Sequence, residues 1–245
     1  MKKKAMLILL GMMTFLCVST AYAAYFSASL PTDEYIYDAC RLNSNHLAVL
    51  TNANVYQVDL ETGESKYLAP RLGNATFLFC SGDGDIHTMI SDDSSEYEQR
   101  LYRIDTSSST WEEEAVIPLE QATYGAMDAA FVGDLLFFTL SREGQPSLLA
   151  SYGGQTGQVT AYGAFSLNEG CGEQLIVADG VVMAYDMDYD RMQAYLFQYD
   201  PQSGELQQTA ANLPVSGDIY TLDYSSDQRK YWAVLFDGAA REQAL

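Results

Sequence analysis

One short segment recurs along this chain at near-constant spacing, and that repetition limits the possible folds more than any other feature. It reads Val55-Tyr56-Gln57-Val58-Asp59-Leu60-Glu61-Thr62-Gly63-Glu64 and returns as Leu101-Tyr102-Arg103-Ile104-Asp105-Thr106-Ser107-Ser108-Ser109-Thr110. A weaker copy occupies 148–158, and the clearest return is 195–205, with Gln198-Tyr199-Asp200-Pro201-Gln202-Ser203-Gly204-Glu205. With Gly63, Ser109, Gly157 and Gly204 as the ruler, the intervals are 46, 48 and 47 residues. In each copy an alternating run is read as ending in Asp, followed by Thr/Ser-Gly. A tight turn and a second polar run follow. Asp and Ser side chains bond to nearby backbone in such turns, and Gly takes a positive φ without steric cost.

Upstream of the copies lie short, almost wholly apolar runs at 46–50, 134–140 and 180–185. Runs of this length, flanked by Gly and Asp, read as strands buried on both faces rather than as helices. Short strands repeating every 40–50 residues or so are the signature of a β-propeller. The expected fold is therefore all-β: a β-propeller of four-stranded antiparallel blades at about 32–70, 73–119, 122–167 and 171–214, with a partial fifth at 218–245. In the fourth blade the strands are expected at 173–178, 181–186, 194–199 and 205–210. The fifth unit supplies two strands, 218–224 and 230–236, and residues 24–31 are expected to add an outer strand that closes the ring. Glu242-Gln243-Ala244-Leu245 aligns with Glu98-Gln99-Arg100-Leu101, which opens the third strand of the second blade. On that alignment the chain stops mid-blade, as a truncated larger propeller would, and the last strand keeps an open edge.

The N-terminus reads as a secretory signal. Lys2, Lys3 and Lys4 precede an apolar run over 5–18, and Ala21-Tyr22-Ala23 offers small residues to a signal peptidase. Residues 1–23 are thus expected to be a signal peptide and 24–245 the propeller domain. An uncleaved anchor is the alternative, although the run is short of the ~20 residues a spanning helix needs. Cys17 follows Phe15 and Leu16, a poor context for lipidation. The rest of the chain has no stretch of transmembrane length. The expected location is extracellular, cell-surface or periplasmic, as a monomer if the ring closes.

The formal net charge is −20, and cleavage would remove lysines but no acids. Such a surface repels nucleic acid and anionic lipid. Beyond the signal stand Cys40, Cys80 and Cys171, an odd number that argues against a disulfide framework. A Cys40–Cys80 bridge after export is one option, and buried free thiols are the favoured one.

The Tyr-x-Val-Asp-Leu-x-Thr-Gly-Glu segment at 56–64 resembles the repeats of PQQ-like and YVTN-type β-propellers, as do 101–110 and 195–205. Quinoprotein repeats carry a Trp several residues beyond the Thr-Gly. Here Lys66-Tyr67-Leu68, Thr160-Ala161-Tyr162 and Gln207-Gln208-Thr209 stand there instead, and Trp111 comes too early. The resemblance is thus closer to non-catalytic extracytoplasmic propellers, which act as scaffolds or ligand-binding domains, and it implies no cofactor.

No residue set points to catalysis or metal binding, and none is assigned a catalytic, cofactor or metal role. Asp186-Met187-Asp188-Tyr189-Asp190 alternates like a calcium loop, but Arg191 and Phe197 occupy the positions where an EF-hand needs Gly and Glu. Asp83, Asp85, Asp92 and Asp93 read likewise as polar hairpin tips. The only histidines, His46 and His87, read as structural. Glu112-Glu113-Glu114 reads as an exposed outer strand. No nucleophile elbow, phosphate loop or Cys-x-x-Cys occurs. The 18 tyrosines are good strand residues, and at blade tips they can also stack on sugars or peptides. The expected function is a non-catalytic module for a protein, peptide or glycan partner. The alternatives are a fragment of a quinoprotein- or glycosidase-type enzyme, or an N-terminal module of a longer surface solute-binding or sensor protein.

Overall fold

A computed structural model of the chain describes residues 4–10, 23–31, 34–92, 95–119, 125–142, 145–164, 174–178, 180–188, 193–200, 205–210, 218–225 and 230–236. Among these residues the regular elements are all β-strands. Two N-terminal strands, β1 (Lys4–Leu10) and β2 (Ala23–Ser29), precede four antiparallel sheets built from consecutive strands. The first holds β3 (Ile36–Arg41), β4 (His46–Thr51), β5 (Asn54–Asp59) and β6 (Ser65–Pro70). The second holds β7 (Phe79–Cys80), β8 (Ile86–Asp92), β9 (Ser95–Asp105) and β10 (Thr110–Pro118). The third holds β11 (Gly125–Val132), β12 (Leu135–Arg142), β13 (Gln145–Gly153) and β14 (Gln158–Ala164). The fourth holds β15 (Gln174–Ala178), β16 (Val181–Asp188), β17 (Gln193–Asp200) and β18 (Glu205–Ala210). The strands expected in this sheet match to within two residues at each end.

The last two strands, β19 (Asp218–Ser225) and β20 (Lys230–Phe236), join β1 and β2 in a fifth sheet of order β19-β20-β1-β2. The innermost strands β3, β7, β11, β15 and β19 each pack on the next, and β19 packs back on β3, so the ring closes. The fold is a β-propeller whose fifth blade draws only two strands from its own repeat. β2 takes the outermost place expected for residues 24–31. The edge of β20 differs from expectation: Ile8 of β1 pairs with Ala233, so that edge is covered. β1 in turn pairs with β2 along its whole length, from Lys4 opposite Ser29 to Leu10 opposite Ala23.

The continuous apolar runs are explained by how the sheets share their side chains. In β4, Ala48 and Leu50 face the second sheet and pack with Ala75, Leu78, Ile86 and Ile104. Leu47 and Val49 point to the opposite side with Ala39, Tyr56 and Val58. In β12, Leu136, Phe138 and Leu140 pack toward Met89, Leu101 and Ile117 of the second sheet, while Phe137 packs toward Leu175, Val182 and Phe197 of the fourth. Strand side chains alternate faces, and here both faces are interiors, so alternation yields no polar positions.

The repeated turn forms as the sequence suggests. The amides of Gly63, Ser109 and Gly157 bond to the carbonyls of Asp59, Asp105 and Gly153 at 2.9, 2.8 and 2.7 Å. All three residues have positive φ, at 72°, 59° and 66°. Asp59 Oδ1 accepts the amides of Glu61 and Thr62, and Asp105 accepts from the Ser107 amide and from the Ser107 and Ser108 hydroxyls.

The reading of free thiols is corrected. Cys40 of β3 and Cys80 of β7 form a disulfide, with Cα atoms 6.0 Å apart. Odd cysteine parity misled the argument because Cys171, which lies outside the described residues, has no bearing on whether two innermost strands meet.

Candidate functional site

The ring has two ends. One carries the hairpins between first and second and between third and fourth strands of each blade. The other carries the second-to-third hairpins and the links between blades. Large exposed aromatics distinguish the second end: Tyr35 just ahead of β3 is 59% exposed, and Tyr97 near the start of β9 is 53% exposed.

Tyr35 is held by a network rooted in the first blade. The Glu34 carboxylate bonds to the Thr51 hydroxyl, and it accepts from Asn54 Nδ2 at 2.9 Å and the Tyr56 hydroxyl at 2.7 Å. This anchors the interblade link to the β4–β5 hairpin. The Tyr35 amide donates to Asn52 Oδ1 at 2.9 Å, and the Asn52 amide donates back to the Tyr35 carbonyl at 3.1 Å. The same hairpin fixes a cation, since the Arg71 amide donates to the Ala53 carbonyl at 2.9 Å. Arg71 Nε donates to the Ala75 carbonyl at 2.9 Å.

These anchors bring three side chains together. The Tyr35 and Tyr37 rings lie 5.2 Å apart, tilted by 56°, with their hydroxyls 3.1 Å apart. The Arg71 guanidinium lies 4.3 Å from the centre of the Tyr37 ring, a cation–π contact. Hydrogen bonding from Tyr35 and the nearby Arg71 lower the Tyr37 phenol's pKa, while the bond to Tyr37 raises that of Tyr35. No carboxylate forms an ion pair with Arg71 among the described residues. Neither Tyr35–Tyr37 nor Arg71 was singled out from sequence. The Tyr at i and i+2 in Glu34-Tyr35-Ile36-Tyr37 was a usable signal, because such residues share a strand face.

Residues singled out from sequence fall elsewhere. His46 sits at the other end, 3.7 Å from Asp59 and 3.0 Å from the Asn43 side-chain oxygen. His87 is buried between Phe79 and Phe131, with ring centres 5.4 and 5.1 Å away, and its Nε2 lies 3.2 Å from Glu114. The three glutamates do lie on an outer strand, where Arg103 pairs with Glu112 and Glu114, and Arg100 with Glu113. Asp85 donates its amide to Ser81 Oγ in a hairpin tip. Asp186 and Asp188 lie in β16 and Asp92 ends β8, while Asp93, Tyr189, Asp190 and Arg191 lie outside the described residues. Among the described residues, no group of three or more His, Cys, Asp or Glu is placed to hold a metal ion. No helix there is long and apolar enough to cross a membrane.

No family model matches the chain, and no curated protein matches it. Solved structures are similar in fold. Two are extracellular domains from B. thetaiotaomicron, one described as part of a hybrid two-component system and one as part of a one-component system. They match with TM-scores of 0.46 and 0.46 at 13% and 14% identity, over 86% and 85% of this chain. A third is hydrazine synthase of Kuenenia stuttgartiensis, at TM-score 0.48, 12% identity and 81% of this chain. The chain spans 28%, 27% and 55% of the length of these three.

Proposed function

We propose that this chain is exported and acts as a non-catalytic binding module, taking a protein, peptide or glycan partner on the ring end that carries Tyr35, Tyr37 and Arg71. The observation that carries this reading is the preorganised trio itself. Tyr35 and Arg71 are fixed by backbone hydrogen bonds to one hairpin, Tyr37 contacts both, and Tyr35 is mostly exposed. Groups already held in place bind without a large ordering cost. Export is supported by the basic-then-apolar N-terminus ending in Ala21-Tyr22-Ala23 and by the Cys40–Cys80 disulfide, a bond that persists in oxidising compartments. The repeat is of the PQQ-like or YVTN kind, in its non-catalytic form. The test is to express the full chain, sequence the N-terminus of the exported product, and probe that product on peptide and glycan arrays. Expected are a start at Ala24, which removes β1 from the fifth sheet, and capture of a ligand set that Tyr35→Ala abolishes. Capture indifferent to Tyr35 and Tyr97 would overturn the assignment to this ring end, and turnover of a captured ligand would overturn the non-catalytic reading.

A further inference from the structure

We infer that the ligand on this ring end is a carboxylated saccharide, with a uronate ring stacked on Tyr35 and its carboxylate held by Arg71. The inference deepens the binding-module reading and rests on it.

Four observations point to this chemistry. First, the exposed ring of Tyr35 is a flat platform on a ring end, suited to the C–H face of a pyranose. Second, Tyr37 couples that platform to the cation: it touches Tyr35 through a 3.1 Å hydroxyl contact and lies under Arg71. Third, Arg71 commits Nε to the Ala75 carbonyl, also hydrogen-bonds the Tyr37 hydroxyl, and pairs with no carboxylate among the described residues, so an incoming carboxylate would meet its remaining N–H groups. A planar guanidinium grips a carboxylate through paired hydrogen bonds, stronger than neutral ones. Fourth, the acid adjacent to Tyr35, Glu34, has its oxygens engaged by Thr51, Asn54 and Tyr56 of the first blade.

The test uses the full-length chain and two forms of one ligand: trigalacturonate and its fully methyl-esterified counterpart, titrated calorimetrically at low and moderate salt. Expected is binding of the acid form, weakened about tenfold or more on esterification, as loss of a charge-assisted hydrogen bond implies. Arg71→Gln should bring the two forms to equal, weak affinity. Tyr35→Ala should weaken both severalfold, with Tyr35→Phe retaining the stack. Equal binding of both forms by the unaltered protein overturns the carboxylate assignment and leaves the binding-module reading standing. Failure to bind either form, with a peptide captured through Tyr35 instead, overturns the saccharide assignment alone. Failure of every array ligand to depend on Tyr35 overturns both readings.

Discussion

The seam between the first and second blades and the seam between the third and fourth start from the same hydrogen bond and then diverge. In the first, Asp38 Oδ2 accepts the Leu78 amide at 2.7 Å, and in the other, Asp128 Oδ2 accepts the Leu175 amide at 2.7 Å. Both aspartates stand just after a register irregularity in an innermost strand, and each satisfies the backbone where the next innermost strand begins. The next strand then differs. β15 pairs with β16 at five positions, but β7 pairs with β8 at only two. The first seam carries the disulfide, joining the short β7 to β3. The other stacks Phe137, Tyr162 and Tyr199, with centroids 4.5 to 5.8 Å apart, and ties Tyr162 to the Ser151 hydroxyl at 2.7 Å. Of the two seams, the covalent bond stands at the one whose innermost strand pairs at fewer positions.

The largest expected effect breaks that comparison directly. The disulfide spans 40 residues, so chain-entropy arguments assign it about 4 kcal/mol. Urea unfolding of the Cys40→Ala, Cys80→Ala double variant should show a loss of that order, with earliest exchange of the β7–β8 amides. If the denaturation midpoint holds and β7 stays protected, short pairing is not what the disulfide offsets. Next in size are the two aspartates. Asp38→Ala and Asp128→Ala each strand a buried backbone donor, a loss of about 1–3 kcal/mol. In the oxidised protein the two losses should add, being in separate seams. In the double-cysteine variant the cost of Asp38→Ala should grow while that of Asp128→Ala stays the same. Equal growth of both would show that the seams are not independent.

The middle seam supplies a third contrast. Here Gln99 Oε1 accepts the Ala126 amide at 3.1 Å in place of an aspartate, and His87 fills the space between Phe79 and Phe131. Burial lowers the pKa of His87 and outweighs the opposing pull of Glu114 and Asp85, and Arg103 adds to the lowering. The unfolded chain therefore binds the proton more readily than the folded one. The seam keeps its full stability above the ordinary histidine pKa of about 6.5 and loses it as the pH falls from there toward the lowered folded value. Chemical denaturation between pH 7.5 and 5 should show this slope. His87→Phe should flatten it, and an unchanged slope would assign the acid sensitivity elsewhere.

How much of this could be read beforehand depends on where each partner lies. The 46–48-residue period and the Asp59 and Asp105 turns are local, so side-chain chemistry and spacing were sufficient to place them. The strands of the fourth blade were legible for the same reason. The seams were not. Asp38, Asp128 and Gln99 bond to backbone amides 40, 47 and 27 residues away, and a backbone amide carries no residue-type signal. The disulfide was hidden by parity. The candidate site was hidden by distance, since Tyr35 and Arg71 reach Tyr37 from positions that only the β4–β5 hairpin brings together. The 5–18 run reads as a leader, and nothing in its composition says that Lys4–Leu10 lies between β20 and β2.

The smallest expected effect tests the turn that repeats around the ring. Gly63 and Gly157 take positive φ freely, whereas Ser109 holds φ at 59° against the strain of its Cβ. Glycine there relieves the strain but gives the unfolded chain more freedom, and these terms largely oppose. Ser109→Gly should therefore raise stability by no more than about 1 kcal/mol. The second blade tolerates serine because Asp105 is so well engaged: bonds from Ser108 and Ser107 hold its pKa at about 2. A carboxylate with a lowered folded pKa contributes fully above its unfolded value, near 3.9, and loses that contribution as the pH falls toward 2. The gain from Ser109→Gly, measured as a shift in Tm, should thus widen in acid, where the bonds that hold the serine turn closed weaken. A gain that stays constant from pH 7 to 3 would mean that Asp105 and Ser109 contribute separately, and that glycine in the other blades reflects backbone strain alone.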